Sequence, residues 1–149
     1  MFEHFTEHAR DVLRLEGLEA QRMHHEHKGT EHMLLALVRE PEGHGHRALE
    51  NLGVTLKQMR RALRDLVGDD PDTEIPDSFH ETPHVRHVMK MALEEARVHK
   101  DPDLGTEHLL LALLREPEGV AMQVLAKLEL TPEAVREEVE RMLQEERGA

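Results

Sequence analysis

The chain has 149 residues, enough for one domain with a real core, and 34% of them are charged against 38% hydrophobic and only 2% aromatic. A formal net charge of −12 repels a phosphate backbone, and the lack of Trp and Tyr removes base-stacking platforms, which together argue against non-specific nucleic-acid binding. Without Cys there is no disulfide framework, thiol nucleophile or thiolate metal site, and the core falls to Leu, Val, Ala and Met, a composition suited to helix-on-helix packing.

The opening MFEHFTEHAR is polar, with no apolar signal core, and no later run approaches the roughly 20 apolar residues of a membrane span. A cytoplasmic protein without membrane contact is expected. Ala9, Val12, Leu13, Leu15, Ala20 and Met23 recur at helical spacing and predict a first helix over 6–23, with Thr6 as its N-cap. HHEHKG interrupts the pattern. A second helix is predicted from Thr30 as cap, with Glu31 in its first turn; apolar residues from Met33 to Val38 nearly encircle it, as in a buried helix. Pro41 and Gly43 close it. A short third helix spans 46–52, ended by Gly53, and Thr55-x-x-Gln58 is a capping box for a fourth running to about Val67. Residues 69–80, with two Pro and an acidic cluster, read as a linker.

The second half of the chain repeats this plan. GTEHMLLALVREPEG at 29–43 returns as GTEHLLLALLREPEG at 105–119, an offset of 76 that also pairs Thr6 with Thr82, Arg10 with Arg86, Glu19-Ala20 with Glu95-Ala96 and Thr55 with Thr131. Thr82-Pro83 and Thr131-Pro132 are cap-plus-proline helix starts, and Thr106 is the expected cap of the sixth helix. The expected architecture is all-α: one domain, 1–149, of two pseudo-symmetric four-helix repeats, 1–68 and 81–149, about eight helices in all.

Few patterns carry chemistry. His80-Glu81-Thr82-Pro83-His84 matches the H-E-x-x-H zinc-protease string, and a His-dependent metal protein or zinc hydrolase using His80, Glu81 and His84 is the alternative reading. That string works only inside one continuous helix, and Pro83 disfavours it. His24, His25 and His27 form a local cluster that could hold a metal weakly, but the second repeat lacks it, so no metal or other cofactor is assigned. There is no phosphate-binding P-loop and no G-x-S-x-G elbow. The remaining candidates are paired helix starts, Thr6 with Thr30-Glu31 and Thr82 with Thr106-Glu107. Each combines N–H groups suited to an anion with a carboxylate suited to a guanidinium. Taken alone, such starts also read as ordinary capping.

The doubled GTEH-x-LLAL-x-RE-x-EG, with MF-x-x-FT at the start and a second Thr-Pro helix start, resembles the N-terminal domain of the Clp AAA+ unfoldases, ClpC-type members above all. The resemblance covers Met1 to about Leu143. It implies a non-enzymatic domain, monomeric in isolation, that docks substrate and adaptor proteins for a Clp ATPase ring and its protease. It further implies phosphoarginine recognition, with Glu31 and Thr6 forming one pocket and Glu107 and Thr82 the other. Where the family usually has Phe before the second Thr, this chain has Glu81, a carboxylate expected to repel a phosphate and weaken the second pocket. Phe2 and Phe79, apolar in polar surroundings, are expected to contribute to a partner-binding patch.

Overall fold

A computed structural model describes residues 4–68 and 80–148. Within them run eight helices: α1 (Glu7–Arg22), α2 (Thr30–Arg39), α3 (His44–Asn51), α4 (Leu56–Val67), α5 (Pro83–Val98), α6 (Thr106–Leu113), α7 (Val120–Lys127) and α8 (Pro132–Gly148). Two strands of two residues each, β1 (His27–Lys28) and β2 (His80–Glu81), are the remaining regular elements. The fold is all-α, with α1–α4 and α5–α8 as its two repeats.

Helix starts match the sequence closely at four places. Thr6 Oγ1 accepts from the Ala9 N–H at 3.1 Å, Thr82 from Val85 at 3.3 Å and Thr131 from Ala134 at 3.1 Å. Thr55 and Gln58 form the reciprocal capping box.

At α2 and α6 the expected caps are replaced. Gly29 and Gly105 are the N-cap residues, and the Nδ1 atoms of His32 and His108 accept their backbone N–H groups at 2.8 Å. The threonine hydroxyls turn instead to the other repeat. Thr30 Oγ1 accepts from Ala121 N–H at 3.0 Å, and Thr106 Oγ1 accepts from Gly45 N–H at 2.9 Å. Each threonine thus satisfies a first-turn donor of α7 or α3 across the molecule. The approach is so close that a Cβ on Gly43 or Gly119 would lie 2.7 Å from the opposing hydroxyl, which explains the glycine ending each copy of the repeated motif.

The core is Leu-rich and centred on α2 and α6. Leu34, Leu37 and Leu110 are wholly buried and Leu113 is 1% exposed. A buried carboxylate ties each repeat together: Glu19 receives Arg39 at 2.9 Å and Arg60 at 3.1 Å, and its mate Glu95 receives Arg136 at 2.7 Å.

The two repeats also cross at their entry segments. β1 pairs in parallel with β2, His27 opposite His80 and Lys28 opposite Glu81. The symmetry mate of that pairing is a parallel bridge between Phe5 and Leu104. Accordingly Thr82 N–H donates to the Lys28 carbonyl at 3.0 Å, and Thr6 N–H to the Leu104 carbonyl at 2.9 Å. The segment leading into the first helix of one repeat therefore lies against the segment leading into the second helix of the other.

Candidate functional site

Of the four residues in each GTEH, three are consumed by the architecture: glycine as N-cap, threonine as cross-repeat cap, histidine as the capping-box acceptor. The fourth, Glu31 or Glu107, remains. Its carboxylate folds back over its own helix start, in the space a Cβ on Gly29 or Gly105 would take. A partly buried carboxylate at a helix start is suited to a guanidinium or ammonium.

The crossed entry segments decide what lies opposite. Glu31 and Thr82 line one cavity of about 410 Å³, together with His24, His25, Glu26 and His27. Thr6 is tied to Leu104, at the approach to α6 and Glu107. The expected pairing of Glu31 with Thr6 is therefore corrected: Glu31 shares its cavity with Thr82 of the other repeat, and Thr6 is tied through its backbone to Leu104, also across the repeats. The place expected for Glu81 is corrected too. It lines a separate cavity with Glu16 and Lys28 and is not among the residues lining the Glu31 pocket.

The two carboxylates differ electrostatically. Burial raises the Glu31 carboxyl above the ordinary carboxylate value, and its own backbone N–H, His25 and His84 offset this only in part. Burial presses Glu107 in the same direction, but a hydrogen bond from His44 and the nearby His108 outweigh it and hold the carboxyl below its ordinary value. His44, the first residue of α3, places Nδ1 3.3 Å from Glu107 and Nε2 2.8 Å from Glu146 of α8. Its hydrogen bond to Glu107 leads the contacts that raise its own pKa against burial. The residue at the matching position is Val120, so Glu31 has no such counterpart. The sequence held this signal, since His44 and Val120 break an otherwise close repeat.

Below Glu31 the imidazoles form a directed chain. Gly29 N–H donates to His32 Nδ1, which leaves the His32 proton on Nε2 to donate to His25 Nδ1 at 2.8 Å; His25 Nε2 in turn donates to the Gly68 carbonyl at 2.9 Å. Burial, then His25, push His32 down to about 3, so the ring stays neutral. His25, Glu31 and His32 lie within 4.8 Å of one another and are of metal-ligating type. Each ring, however, already spends its lone pair on a hydrogen bond, so neither can coordinate without breaking the α2 cap or its neighbour. In the second repeat Asp101 replaces His25 and meets His108 Nε2 at 2.8 Å.

The zinc-hydrolase geometry does not form. His80 and Glu81 lie in β2 and Thr82 is the N-cap, so His80 and His84 do not share a helix. His84 instead faces Glu116, with Nδ1 at 3.5 Å, and His87 Nδ1 is 2.7 Å from the same carboxylate. Phe2 and Phe79 lie outside the described residues.

The Clp repeat (R) N-terminal domain family matches residues 4–78 and 80–149. The negative regulator of genetic competence ClpC/MecB of Bacillus subtilis (strain 168) is 41% identical over 143 residues, covering 96% of this chain and 17% of that protein. The chloroplastic chaperone protein ClpC2 of Arabidopsis thaliana is 42% identical over 148 residues, covering 97% of this chain and 15% of its own length. The chain thus spans only about a sixth of these curated relatives. Among solved structures, the N-terminal domain of the chaperone ClpD from Arabidopsis thaliana superposes with a TM-score of 0.80 at 22% identity, covering 97% of both chains. A ClpV N-domain in complex with a VipB peptide superposes with a TM-score of 0.69 at 15% identity, covering 89% of this chain and 82% of that one. With both repeats matched and the cross-repeat architecture in place, this chain belongs to the Clp repeat (R) N-terminal domain family.

Proposed function

We propose that this chain is a non-catalytic recognition domain that docks substrate and adaptor proteins for a Clp-type ATPase ring and its protease, and that its Glu31 pocket takes phosphoarginine. The observation that carries the reading is Glu31 itself, whose partly buried carboxylate lines one cavity with Thr82, the cap of a 16-residue helix. Phosphoarginine joins a planar cation to a phosphate. The Glu31 carboxylate matches the guanidinium, and the first turn of α5, which carries no acidic residue, matches the phosphate. Glu107 and Thr6 supply the same set in the other pocket, with His44 already on the carboxylate. A ClpV N-domain of the same fold has been solved with a peptide bound, in keeping with a docking role.

Calorimetric titration of phosphoarginine into wild type, Glu31→Ala and Glu107→Ala tests the pocket assignment. Wild type should bind and Glu31→Ala should lose most of the heat. No binding to wild type would remove the phosphoarginine reading and leave protein docking to be tested by pull-down with the cognate ATPase ring and adaptors.

A further inference from the structure

Each repeat brings three side chains of metal-ligating type to the end of its second helix. They are His8, Asp11 and Glu40 in the first and His84, His87 and Glu116 in the second, all at the offset of 76. His8 and Asp11 stand three residues apart on α1 and so share a face. Glu40 is the C-cap of α2, at the far end of that helix from Glu31, and is only 6% exposed. One ligand atom from each of the three lies within 4.8 Å of the others. His8 Nδ1 and Glu40 Oε1 are 3.1 Å apart, yet they form no hydrogen bond, and the buried Nδ1 has no other hydrogen-bond partner. A buried polar atom in that state is costly and calls for a partner.

The second repeat supplies the contrast. His87 Nδ1 donates to Glu116 Oε2 at 2.7 Å, so the nitrogen facing that carboxylate carries the proton. His8 Nδ1 is under no such obligation. With the proton on Nε2 its lone pair faces Glu40. One neutral imidazole and two carboxylates together match the charge of a divalent cation. The spacing matches too: bonds of about 2.0–2.2 Å around zinc set neighbouring ligand atoms about 3.3 Å apart in a tetrahedron. Glu40 is already oriented, because its Oε1 accepts the Glu42 N–H at 3.0 Å. Asp11 is partly exposed and can rotate its carboxylate inward, held only by Arg14 at 3.9 Å. We propose that His8, Asp11 and Glu40 bind a divalent transition-metal ion of the zinc type, which clips α1 to the end of α2 and keeps a fourth position for water. An imidazole in the set favours such an ion over magnesium or calcium, which prefer oxygen alone. The site shares no residue with the Glu31 pocket or with the His80–His84 string, and the proposal stands whether or not that pocket takes phosphoarginine.

The probe is Zn²⁺ itself, titrated into the full chain after dialysis against a chelator. Calorimetry should show about one ion per chain held roughly tenfold or more above any that follow. Nitrogen-15 spectra of the histidine rings should place it, with His8 Nδ1 shifting first and furthest. Asp11→Asn and Glu40→Gln, which keeps an oxygen for the Glu42 N–H, should each weaken that first ion about tenfold or more. His8→Ala should abolish it, and His84→Ala should bind as wild type. One equivalent of zinc should raise the Tm of wild type and leave that of His8→Ala unchanged. The proposal is overturned if zinc binds no better than magnesium or if another histidine shifts first. It is equally overturned if Asp11→Asn keeps wild-type affinity or if His84→Ala loses it. Should His8→Ala or Glu40→Gln fail to fold, Asp11→Asn and the His8 resonance decide.

Discussion

The Glu31 and Glu107 helix starts are built by the same fifteen-residue motif and end with different chemistry. Backbone, caps and the fold-back of the carboxylate are shared. The neighbours are not. Glu107 meets His44 and, through it, Glu146, whereas the place of His44 is taken by Val120 in the other half. His32 is backed by the His25 imidazole and His108 by the Asp101 carboxylate. The α5 start, whose cap Thr82 shares the Glu31 cavity, has no acidic residue, and the α1 start carries Glu7. A repeated motif fixes where a carboxylate stands; residues outside the motif fix whether it is available to a ligand.

In the core the two halves should behave alike. Leu34→Ala and Leu110→Ala each empty a fully buried position at matching places and should each cost roughly 2–5 kcal/mol in urea melts. A difference between them larger than about 2 kcal/mol would break the symmetry of the core. The pockets should diverge. Removing a partly buried charge partner typically costs about 2–5 kcal/mol of binding, so Glu31→Ala should weaken phosphoarginine by tens-fold or more, and Glu107→Ala by only a few-fold. Equal losses in calorimetry would show both pockets in use.

A smaller effect isolates the cause. His44→Val gives the second pocket the residue its partner has, and should raise phosphoarginine binding there several-fold, read as a second set of sites in the isotherm. If the stoichiometry stays at one, His44 is not what occupies Glu107. The same contact should respond to pH. The His44 pKa is raised, so its contribution is complete below about 6.5 and is lost as pH rises through its folded value. The Glu107 pKa is lowered, so its contribution is complete above about 4.5 and is lost as pH falls through its folded value. The pair therefore holds best between those limits, and alkaline titration monitored by NMR of the His44 ring should shift binding toward the second pocket. Glu31, whose pKa is raised, should lose guanidinium affinity at a higher pH than Glu107 during acidification.

Much of the fold is legible in the sequence because its signals are local. Thr6, Thr55, Thr82 and Thr131 announce their helices within three residues, and the apolar runs around Leu34 and Leu110 mark buried helices without reference to anything distant. The crossing is not legible. Two copies of one sequence can pair entry segments within a repeat or between repeats, and the periodicity is identical either way. Thr30 and Thr106 mislead for the same reason: a threonine at a helix start looks like that helix's own cap, and only the fold brings Ala121 and Gly45 to it. The sharper guide to the site is where the repeat departs from itself. His44 against Val120, Glu16 against Ala92 and His25 against Asp101 are each visible at an offset of 76, and each marks a place where the halves differ in electrostatics. Glu81 shows the opposite hazard, since its sequence position beside Thr82 says nothing about which cavity its side chain lines.

The reciprocal threonine caps give the two halves the relation that protomers have in a two-fold dimer, where residue i of one meets j of the other and j meets i. In a true homodimer every substitution appears twice, so both pockets would carry the histidine or neither would. Joining the protomers into one polypeptide lifts that constraint. Each shared cap still obliges the halves to fold against one another, yet their surfaces can vary independently. One carboxylate can be held by an internal histidine while its twin stays open, which an assembly of identical chains could achieve only by breaking its own symmetry.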